Sequence, residues 1–273
     1  MNHIRIILRF LFSNVFFDTI LKFIINCTGR NTLLFAYNLR GISKWQNDKR
    51  SGELFLIKSF LPNYFKREDL TLFDVGANVG NYALKLQKYH PNSRIYAFEP
   101  NPKTFDILVN TTKQYSNIQN IKAGLSDKNE TSKIFSYASE ESSEHASLYE
   151  SVISDIHHDK QITSFDIALE KLDDFCEINK ITKVDFLKID TEGHELSVFK
   201  GAKRFLDNKL IDVIQFEFNE MNVISRTFLK DFYDIAANNY NFYRLDSRKL
   251  IPLGDYSAIN EVFQYQNIVL VKK

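Results

Sequence analysis

Two glycines separated by three residues follow a short apolar run and form the first candidate for a ligand-binding turn. Gly76 permits a sharp turn and a close approach of the backbone to a ligand, and Gly80 permits a helix to pack near the preceding strand. Asn78 lies between them and tolerates the left-handed backbone conformation better than most residues. Because glycine-rich turns also occur in ordinary packing, this turn alone is a weak indication.

An acidic residue, Glu99, stands 23 residues after Gly76, at the end of the next apolar run. A carboxylate about 20 residues beyond a glycine turn is placed to accept hydrogen bonds from both hydroxyls of a ribose. Glu99 and the turn together therefore predict an adenosine-containing ligand. The alternative is that the turn and the acidic strand end serve only packing and solvation.

The residue before the turn distinguishes two kinds of adenosine ligand. A dinucleotide site favours G-x-G-x-x-G, whose glycines let a pyrophosphate reach the amino terminus of a helix. This chain has G-x-x-x-G preceded by Asp74. A carboxylate there would repel a pyrophosphate but suits the ammonium group of a methionine moiety. The charge pattern therefore favours S-adenosyl-L-methionine as the cofactor.

A second group of polar side chains follows the later strands. Asp190, Glu192 and His194 come directly after an apolar run, and Glu217 lies near the end of the next one. These groups should meet at the carboxyl edge of a parallel sheet, where one of them could act as a general base towards an acceptor hydroxyl. They could instead bind a divalent metal ion, but they lack diagnostic ligand spacing, so we expect no metal. His194 could alternatively do no more than hydrogen-bond nearby groups at the start of a helix.

The elements that position these residues alternate between apolar strands and helices, which is typical of a parallel sheet with crossover helices. Seven strands are expected, at residues 71–75, 94–98, 118–125, 184–189, 211–218, 241–245 and 267–271. Helices are expected over 80–89, from Pro102 with Asn101 as its cap, over 195–206 and over 227–238. The predicted fold class is α/β: a Rossmann-like, doubly wound, mostly parallel seven-stranded sheet with an antiparallel closing strand and an N-terminal helical extension.

Composition excludes some classes of function. Lys and Arg number 35 against 34 Asp and Glu, so the net charge of +1 gives no broad positive surface for nucleic acid, and we expect none as a partner. Cys27 and Cys176 are far apart and lack the spacing of a zinc site or a disulfide framework. A reducing, cytoplasmic location fits this cysteine usage.

Several motifs in the same order make the chain resemble the FkbM family of methyltransferases, over nearly the whole span from Phe73 to Val271. The stretches that carry the resemblance are FDVGANVGN from Phe73, AFEPNP from Ala97, LSD from Leu125, ASLY from Ala146, VDFLKIDTEGHE from Val184 and QFEF from Gln215. The chain departs from the family pattern at Thr191, where the family has a hydrophobic residue. We expect this difference to matter little.

The resemblance implies O-methylation of a sugar or polyketide hydroxyl and a set of residue roles. Asp74, Gly76, Asn78 and Gly80 would border the methionine part of the cofactor, and Glu99 the ribose. Asp127 would meet the adenine amino group, although Ser126 and Asp127 could equally form a turn that bonds local backbone. Asp190, Glu192, His194 and Glu217 would form the catalytic group.

Two segments interrupt the regular alternation and set the expected domain organisation. Residues 1–70 are expected to form a helical extension that contacts a membrane or a partner, and residues 71–273 the methyltransferase domain. Within that domain, residues 127–183 are expected to form an inserted substrate loop. Its polar cluster at 139–147 is typical of a mobile surface loop.

The expected function is S-adenosylmethionine-dependent O-methyl transfer to a hydroxyl of a sugar, polysaccharide or related secondary metabolite. One alternative is a nicotinamide-dependent sugar oxidoreductase, which Asp74 and the absence of G-x-G-x-x-G disfavour. Another is a non-catalytic scaffold of a biosynthetic complex, which the apolar amino terminus favours.

The first 26 residues are strongly apolar but contain Arg9, Asp18 and Lys22. A spanning helix needs about 20 predominantly apolar residues with few charges, so we expect either a helix at a membrane surface, peripheral to it, or a helix packed on its own domain. Deleting residues 1–26 should abolish co-sedimentation with lipid vesicles in the first case. Unchanged sedimentation of the shortened chain would contradict the membrane interpretation.

Overall fold

The computed structural model describes residues 14–29, 31–137, 146–148 and 162–273. The chain divides into two compact units, residues 1–40 and residues 41–273. The smaller unit contains the helices Asn14–Thr28 and Thr32–Leu39. The second helix begins at Asn31, whose side chain accepts a hydrogen bond from the backbone N–H of Leu34 at 3.0 Å.

The smaller unit exposes many of its apolar side chains, including those of Phe23, Leu33 and Phe35. None of the described helices combines the length and the hydropathy that crossing a bilayer requires. Residues 1–13, half of the segment for which we predict membrane contact, lie outside the described residues. Peripheral membrane contact therefore stays a prediction.

The larger unit begins with a helical stretch that precedes the first strand. It comprises Asp48–Ser51, Glu53–Phe55, a π-helical turn at Leu56–Phe60, and Leu61–Phe65. Leu56, Ile57 and Leu61 are fully buried. They belong to an apolar cluster with side chains of the central sheet, so residues 41–65 form part of the same unit as the sheet.

A central sheet of eight strands forms the frame of the larger unit. Numbering the strands along the chain, its order is β11-β10-β12-β9-β8-β1-β2-β3. The strands are β1 (Thr71–Val75), β2 (Arg94–Phe98), β3 (Ile118–Ile121), β8 (Val184–Ile189), β9 (Ile211–Phe218), β10 (Tyr240–Asp246), β11 (Lys249–Pro252) and β12 (Gln266–Lys272). The pairs from β3 to β9 are parallel, and β12 pairs antiparallel with both β9 and β10.

The predicted α/β class, the mostly parallel sheet and the antiparallel strand are confirmed, whereas the predicted number of strands is wrong. The eighth strand is β11, which follows β10 after a two-residue turn and pairs with it antiparallel. The sequence does not reveal β11, because its segment LIP is too short to show the alternation of apolar and polar residues that indicates a strand. The predicted strand over 118–125 is also interrupted, since β3 ends at Ile121 and β4 (Gly124–Leu125) joins a different sheet.

Helices cover both faces of the central sheet. One face packs against Leu172–Ile178, Glu195–Gly201, Lys203–Asp207 and Leu229–Ala236, and the other against Glu53–Phe65, Asn81–Tyr89 and Pro102–Thr112. Asn101 caps the last of these by accepting the backbone N–H of Lys103 at 3.0 Å, as predicted. Short helices Met221–Ile224 and Ala258–Asn260 lie in connections.

The insertion between β3 and β8 contains a second sheet, which corrects the expectation of a loop over 127–183. Its order is β4-β7-β5-β6, with β5 at Glu130–Tyr137, β6 at Ala146–Ser147 and β7 at Ile162–Glu170. Ile134, Ile167 and Leu169 are buried in a small apolar cluster, while Lys133, Asp166 and Ala168 are exposed. This alternation is the pattern of a sheet with one covered face. Residues 139–145 of the predicted polar loop lie outside the described residues.

The turn after β1 joins the ends of three strands. The backbone N–H groups of Gly76 and Ala77 both donate to the carbonyl of Phe98, at 3.0 and 2.8 Å. Gly76 has φ of 78°, and a Cβ on it would lie 1.8 Å from the carbonyl oxygen of Asp190. Because that neighbour is backbone, a side chain at position 76 would force the end of β1 away from the end of β8.

Replacing Gly76 tests this close approach, and Gly254 offers a matched control because its φ is 67° and nothing lies within 4 Å of its Cβ position. Both alanine variants bear the cost of a left-handed backbone, about 1 kcal/mol. Gly76→Ala also bears a backbone collision, so we expect its free energy of unfolding to fall by about 3 kcal/mol or more. Equal urea midpoints for Gly76→Ala and Gly254→Ala would show that the strands are not held this closely.

Candidate functional site

Two clefts lie side by side at the carboxyl edge of the central sheet and share a common wall. The wall consists of Gly76, Asn78, Asp190 and Glu192, which line both clefts. We call the first the Glu99 cleft; its other lining residues are Val75, Glu99, Pro100, Thr104, Gly124, Leu125, Ile134, Leu148, Ile167, Leu169, Thr191 and His194. We call the second the Glu217 cleft; its other lining residues are Trp45, Glu53, Ala77, Val79, Asn81, Tyr82, Lys85, Lys188, Glu217, Asn219, Glu220, Met221 and Tyr265.

Glu99 is fixed by the turns on either side of it. Its two carboxylate oxygens accept the backbone N–H groups of Asn78 and Asn101, each at 2.9 Å. Asn78 has φ of 50°, the left-handed conformation expected from the sequence. Burial raises the pKa of Glu99 to about 7 despite these two hydrogen bonds. A carboxyl group is thus held rigidly at the cleft, with acceptor capacity left for a ligand.

The second sheet supplies an apolar side to the Glu99 cleft. Its strands β5 and β7 contribute Ile134, Ile167 and Leu169, and its strand β4 contributes Leu125. The sheet is attached to the loop that follows β8, because the hydroxyl of Ser147 donates to the carbonyl of Glu192 at 2.9 Å. The inserted segment therefore encloses the Glu99 cleft with apolar side chains.

His194 lies in the Glu99 cleft with its ring bonded to the edge of the insertion. Its Nε2 is 2.9 Å from the hydroxyl of Ser126, which in turn lies 3.2 Å from the carboxylate of Asp127. Burial lowers the pKa of His194 to about 4, so the ring is neutral at pH 7. His194 therefore lines the Glu99 cleft together with Gly124 and Leu125. Glu217 lines the Glu217 cleft and not this one.

The loop after β8 has an unusual backbone that a buried carboxylate stabilises. Glu192 and Gly193 have φ of 52° and 99°. Glu195 accepts the backbone N–H of Thr191 at 2.9 Å, its hydroxyl at 3.0 Å and the backbone N–H of Gly193 at 3.2 Å. Burial raises the pKa of Glu195 to about 7. Glu195 therefore fixes the loop that presents Asp190 and Glu192 to both clefts.

A buried lysine organises the acids below this loop. In the sheet register Asp74 is paired with Lys188, and Lys188 with Gln215. The Nζ of Lys188 lies 3.4 Å from the carboxylate of Asp74 and 3.1 Å from that of Asp190. Burial opposes its charge, but Asp190, Asp74 and Glu53 outweigh burial and raise the pKa of Lys188. The lysine is therefore a permanent cation.

Gln215 extends this polar row towards the neighbouring elements. Its side chain accepts from the hydroxyl of Tyr82 at 2.5 Å and donates to Asn267 at 2.9 Å and to Glu53 at 3.3 Å. Burial raises the pKa of Glu53, and the nearby lysines lower it in part. The floor of the Glu217 cleft is thus a connected polar network, which holds its members in fixed orientations.

Glu217 is a buried acid in the Glu217 cleft, close to other carboxylates. Burial raises its pKa well above the ordinary value, and the charges of Asp190 and Glu192 raise it further. The side-chain amide of Asn219 donates to it at 2.9 Å. Negative charges that share a site disfavour ionisation, so Asp190 and Glu192 act on the pKa of Glu217 in the same direction as burial.

The structure brings most of the predicted site residues to the two clefts, but not all. Gly76, Asn78, Glu99, Asp190, Glu192 and His194 line the Glu99 cleft, and Glu217 lines the Glu217 cleft. Gly80, at φ of 94°, begins the helix Asn81–Tyr89 and packs against Leu108 instead. Asp127 lines neither cleft. It accepts a hydrogen bond from the Ser126 hydroxyl, which fits the alternative that these two residues form a local turn. Its contact with adenine stays a prediction.

Asp74 also lines neither cleft. Its side chain is 0% exposed, and the cation beside it is Lys188. Burial raises the pKa of Asp74, and Lys188 counteracts this. The direct ligand contact predicted for Asp74 stays a prediction. Among the described residues no group of three or more His, Cys, Asp or Glu side chains has the arrangement of a metal site.

Sequence reasoning missed four residues that shape the clefts: Lys188, Glu195, Glu53 and Trp45. The sequence did contain an indication for Lys188, because a lysine within an otherwise apolar strand needs a partner of opposite charge when it is buried. Glu195 had a weaker one, as an acid in the first turn of a helix after a glycine. No local pattern in the sequence indicated Glu53 or Trp45, since only the tertiary fold brings residues before β1 to the sheet edge.

Replacing Lys188 tests whether it compensates the buried acids. Lys188→Met leaves Asp74 buried without its cation, so we expect the free energy of unfolding to fall by about 3–5 kcal/mol. Adding Asp74→Asn should restore part of the loss. The control is Lys203→Met, which breaks an exposed pair with Asp207 and should cost less than about 1 kcal/mol. Urea denaturation measures all three; similar costs for Lys188→Met and Lys203→Met would contradict the interpretation.

Comparison with known proteins finds a matching family and several relatives. A family model described as "Methyltransferase FkbM domain" matches residues 74–241. The chain is 29% identical over 167 residues to the hexuronic acid methyltransferase AglP of Haloferax volcanii, covering 60% of this chain and 62% of that protein. It is 22% identical over 147 residues to the 2-O-methyltransferase NoeI of Sinorhizobium fredii, covering 52% of this chain and 60% of that protein.

The aligned stretches thus span less than two thirds of the length of either relative. A crystal structure of an FkbM methyltransferase from Methylobacillus flagellatus superposes with a TM-score of 0.45 and 16% identity, covering 77% of this chain and 47% of that chain. The family match extends over more than half of the chain and includes the glycine turn, Glu99 and the loop after β8. The chain therefore belongs to the FkbM family of methyltransferases.

Proposed function

We propose that this chain transfers a methyl group from S-adenosyl-L-methionine to a hydroxyl group of a sugar or a related metabolite. The observation that carries the proposal is the shared wall of the two clefts. A cleft that contains a fixed carboxyl group and apolar side chains meets a carboxylate-rich cleft at Gly76, Asn78, Asp190 and Glu192. Donor and acceptor can therefore approach each other across this wall.

The Glu99 cleft fits the adenosine part of the proposed cofactor. Glu99 faces the cleft with acceptor capacity for ribose hydroxyls, and the apolar side chains of Leu125, Ile134 and Ile167 suit the faces of an adenine ring. Gly76 lines the shared wall, where the sulfonium part would lie. When bound, S-adenosyl-L-methionine supplies an electrophilic methyl group. In this arrangement Asp74 acts through Lys188, which it holds beside Asp190.

Within the Glu217 cleft, Glu217 is our candidate for the general base. A base is most effective when its pKa lies near the working pH, and burial together with Asp190 and Glu192 raises the pKa of Glu217 in that direction. Asp190 is already paired with Lys188, so its charge is compensated. Asp190 and Glu192 at the shared wall then orient the acceptor hydroxyl towards the methyl group, which in-line displacement requires.

The names of two relatives support a carbohydrate acceptor. One is a hexuronic acid methyltransferase and the other a 2-O-methyltransferase. Methyl transfer to oxygen of a sugar is the reaction that the carboxylates of the Glu217 cleft would assist, because a sugar hydroxyl is a poor nucleophile at neutral pH.

Calorimetry with S-adenosylhomocysteine and a methyl-transfer assay with labelled S-adenosyl-L-methionine test the proposal. Glu99→Gln should weaken binding of S-adenosylhomocysteine about tenfold through loss of hydrogen bonds to the ribose. Glu217→Gln should bind it normally but lower kcat by a factor of about 10² to 10⁴. The exposed variant Glu130→Gln is the control and should match the wild type.

The pH profile gives a further readout. Because the base must lose its proton, activity of the wild type should rise with pH through the raised pKa of Glu217, and this limb should disappear in Glu217→Gln. Binding of NAD without binding of S-adenosylhomocysteine would overturn the proposed cofactor. Full activity of Glu217→Gln would overturn the proposed base.

A further inference from the structure

A solvent-exposed indole ring stands in the Glu217 cleft. Trp45 is the only tryptophan of the chain, and 68% of its surface is exposed although it lines a cleft. Large aromatic side chains lose much by facing water, since each can bury about 150–250 Å² of apolar area. An indole that faces an open cleft is therefore available to cover the apolar face of a ligand.

The segment that carries Trp45 is anchored on both sides, so the exposure of the ring does not come from a loose loop. The backbone N–H of Ser43 donates to the carbonyl of Tyr265 at 2.7 Å. Lys44 forms a largely buried ion pair with Asp246. Beyond the ring, Asn47 caps the helix Asp48–Ser51 by accepting the backbone N–H of Arg50 at 3.1 Å. The indole is thus presented to the cleft by a fixed backbone.

The charges around the cleft limit what can lie against that ring. Carboxyl groups among its lining residues are those of Glu53, Asp190, Glu192, Glu217 and Glu220, and its lysines are Lys85 and Lys188. Lys85 is 3.3 Å from Asp48, and Lys188 lies between Asp74 and Asp190. Of the described lining residues, both cations are therefore already paired.

Carboxylates in such surroundings accept hydrogen bonds from hydroxyl or ammonium groups but repel another anion. An acidic ligand would have to displace an existing ion pair or lie beside several carboxyl groups of the lining. A ligand that donates hydrogen bonds and carries no acid group fits this cleft.

We propose that the Glu217 cleft binds a sugar unit without an acidic group, with one face of the sugar ring stacked on Trp45 and its hydroxyl or amino groups donating to the carboxylates. This inference rests on the proposed function and specifies the acceptor class of the same site. Neutral and amino sugars share the required chemistry. Uronic acids and sugar phosphates do not.

The single tryptophan makes binding directly observable. The wild-type chain, saturated with S-adenosylhomocysteine, is titrated with methyl glycosides of gluco, galacto and manno configuration, each as the neutral sugar, the amino sugar and the uronate, while tryptophan emission is followed. We expect at least one neutral or amino sugar to change the emission, and its uronate to bind at least about tenfold more weakly. A uronate that binds equally well or better, or a complete lack of response to all of these sugars, would overturn the proposal.

Substitutions distinguish the effects of aromatic stacking and of charge on sugar binding from a general effect on folding. Trp45→Ala should raise KM for the acceptor about tenfold, a loss of roughly 1.4 kcal/mol, with the Kd for S-adenosylhomocysteine unchanged, and Trp45→Phe should restore part of this. Ile259→Ala, at an exposed apolar residue away from the clefts, is the control. Glu220→Lys should narrow the preference for neutral over uronate sugars. An unchanged KM in Trp45→Ala, or an unchanged preference in Glu220→Lys, would count against the proposal.

The outcomes also distinguish this inference from the proposed function. Failure to bind S-adenosylhomocysteine would overturn the methyltransferase assignment of the Glu99 cleft, whatever the sugars do. Normal binding of S-adenosylhomocysteine together with faster methyl transfer to uronates than to neutral sugars would overturn only the inference about the acceptor.

Discussion

The ion pairs of Lys188 are the interaction on which both clefts depend. A lysine within a fully buried strand is stable only when negative charges compensate it, and here Asp74 and Asp190 lie within 3.4 Å of its Nζ. The first acid belongs to the strand that leads into the glycine turn, and the second to the shared wall. One cation thereby couples the strand that leads into the glycine turn to the shared wall of the two clefts.

The register of the central sheet explains why these groups meet. Strands β1, β8 and β9 are parallel neighbours, so residues at equal height form a row across the sheet, and the residues after each strand share one edge. Asp74, Lys188 and Gln215 form such a row within the sheet. Asp190 and Glu192 follow β8 at the edge, and Glu217 lies one residue before the end of β9. The same geometry places Gly76 against the backbone of Asp190, so the site and the fold are stabilised by the same contacts.

The sequence predicted the parts of the structure that local patterns determine. Apolar runs and the residues after them indicated β1, β2, β8 and β9, together with the positions of Glu99, Asp190 and Glu217. The insertion was interpreted as a loop because polar residues at 139–147 outweighed the alternation of β5 and β7, whose inward side chains, such as Ile134 and Ile167, are few. Two features could not be predicted: the pairing of Asp74 with Lys188 and the position of Trp45 in the Glu217 cleft. Both depend on contacts between segments distant in sequence.

The matched family region ends at residue 241 and begins at residue 74, yet three residues of the Glu217 cleft lie beyond these limits: Trp45, Glu53 and Tyr265. The Glu99 cleft, in contrast, is lined entirely by residues within the matched region. Under the proposed function, the residues that would hold the methyl donor come from the matched region, whereas those that would hold the acceptor come partly from segments outside it. These segments also pack into the core and supply β12 to the central sheet, so they cannot be exchanged whole without disturbing the fold. Point substitutions at Trp45 and Tyr265 are therefore a more direct route to redesigned specificity than chimaeras.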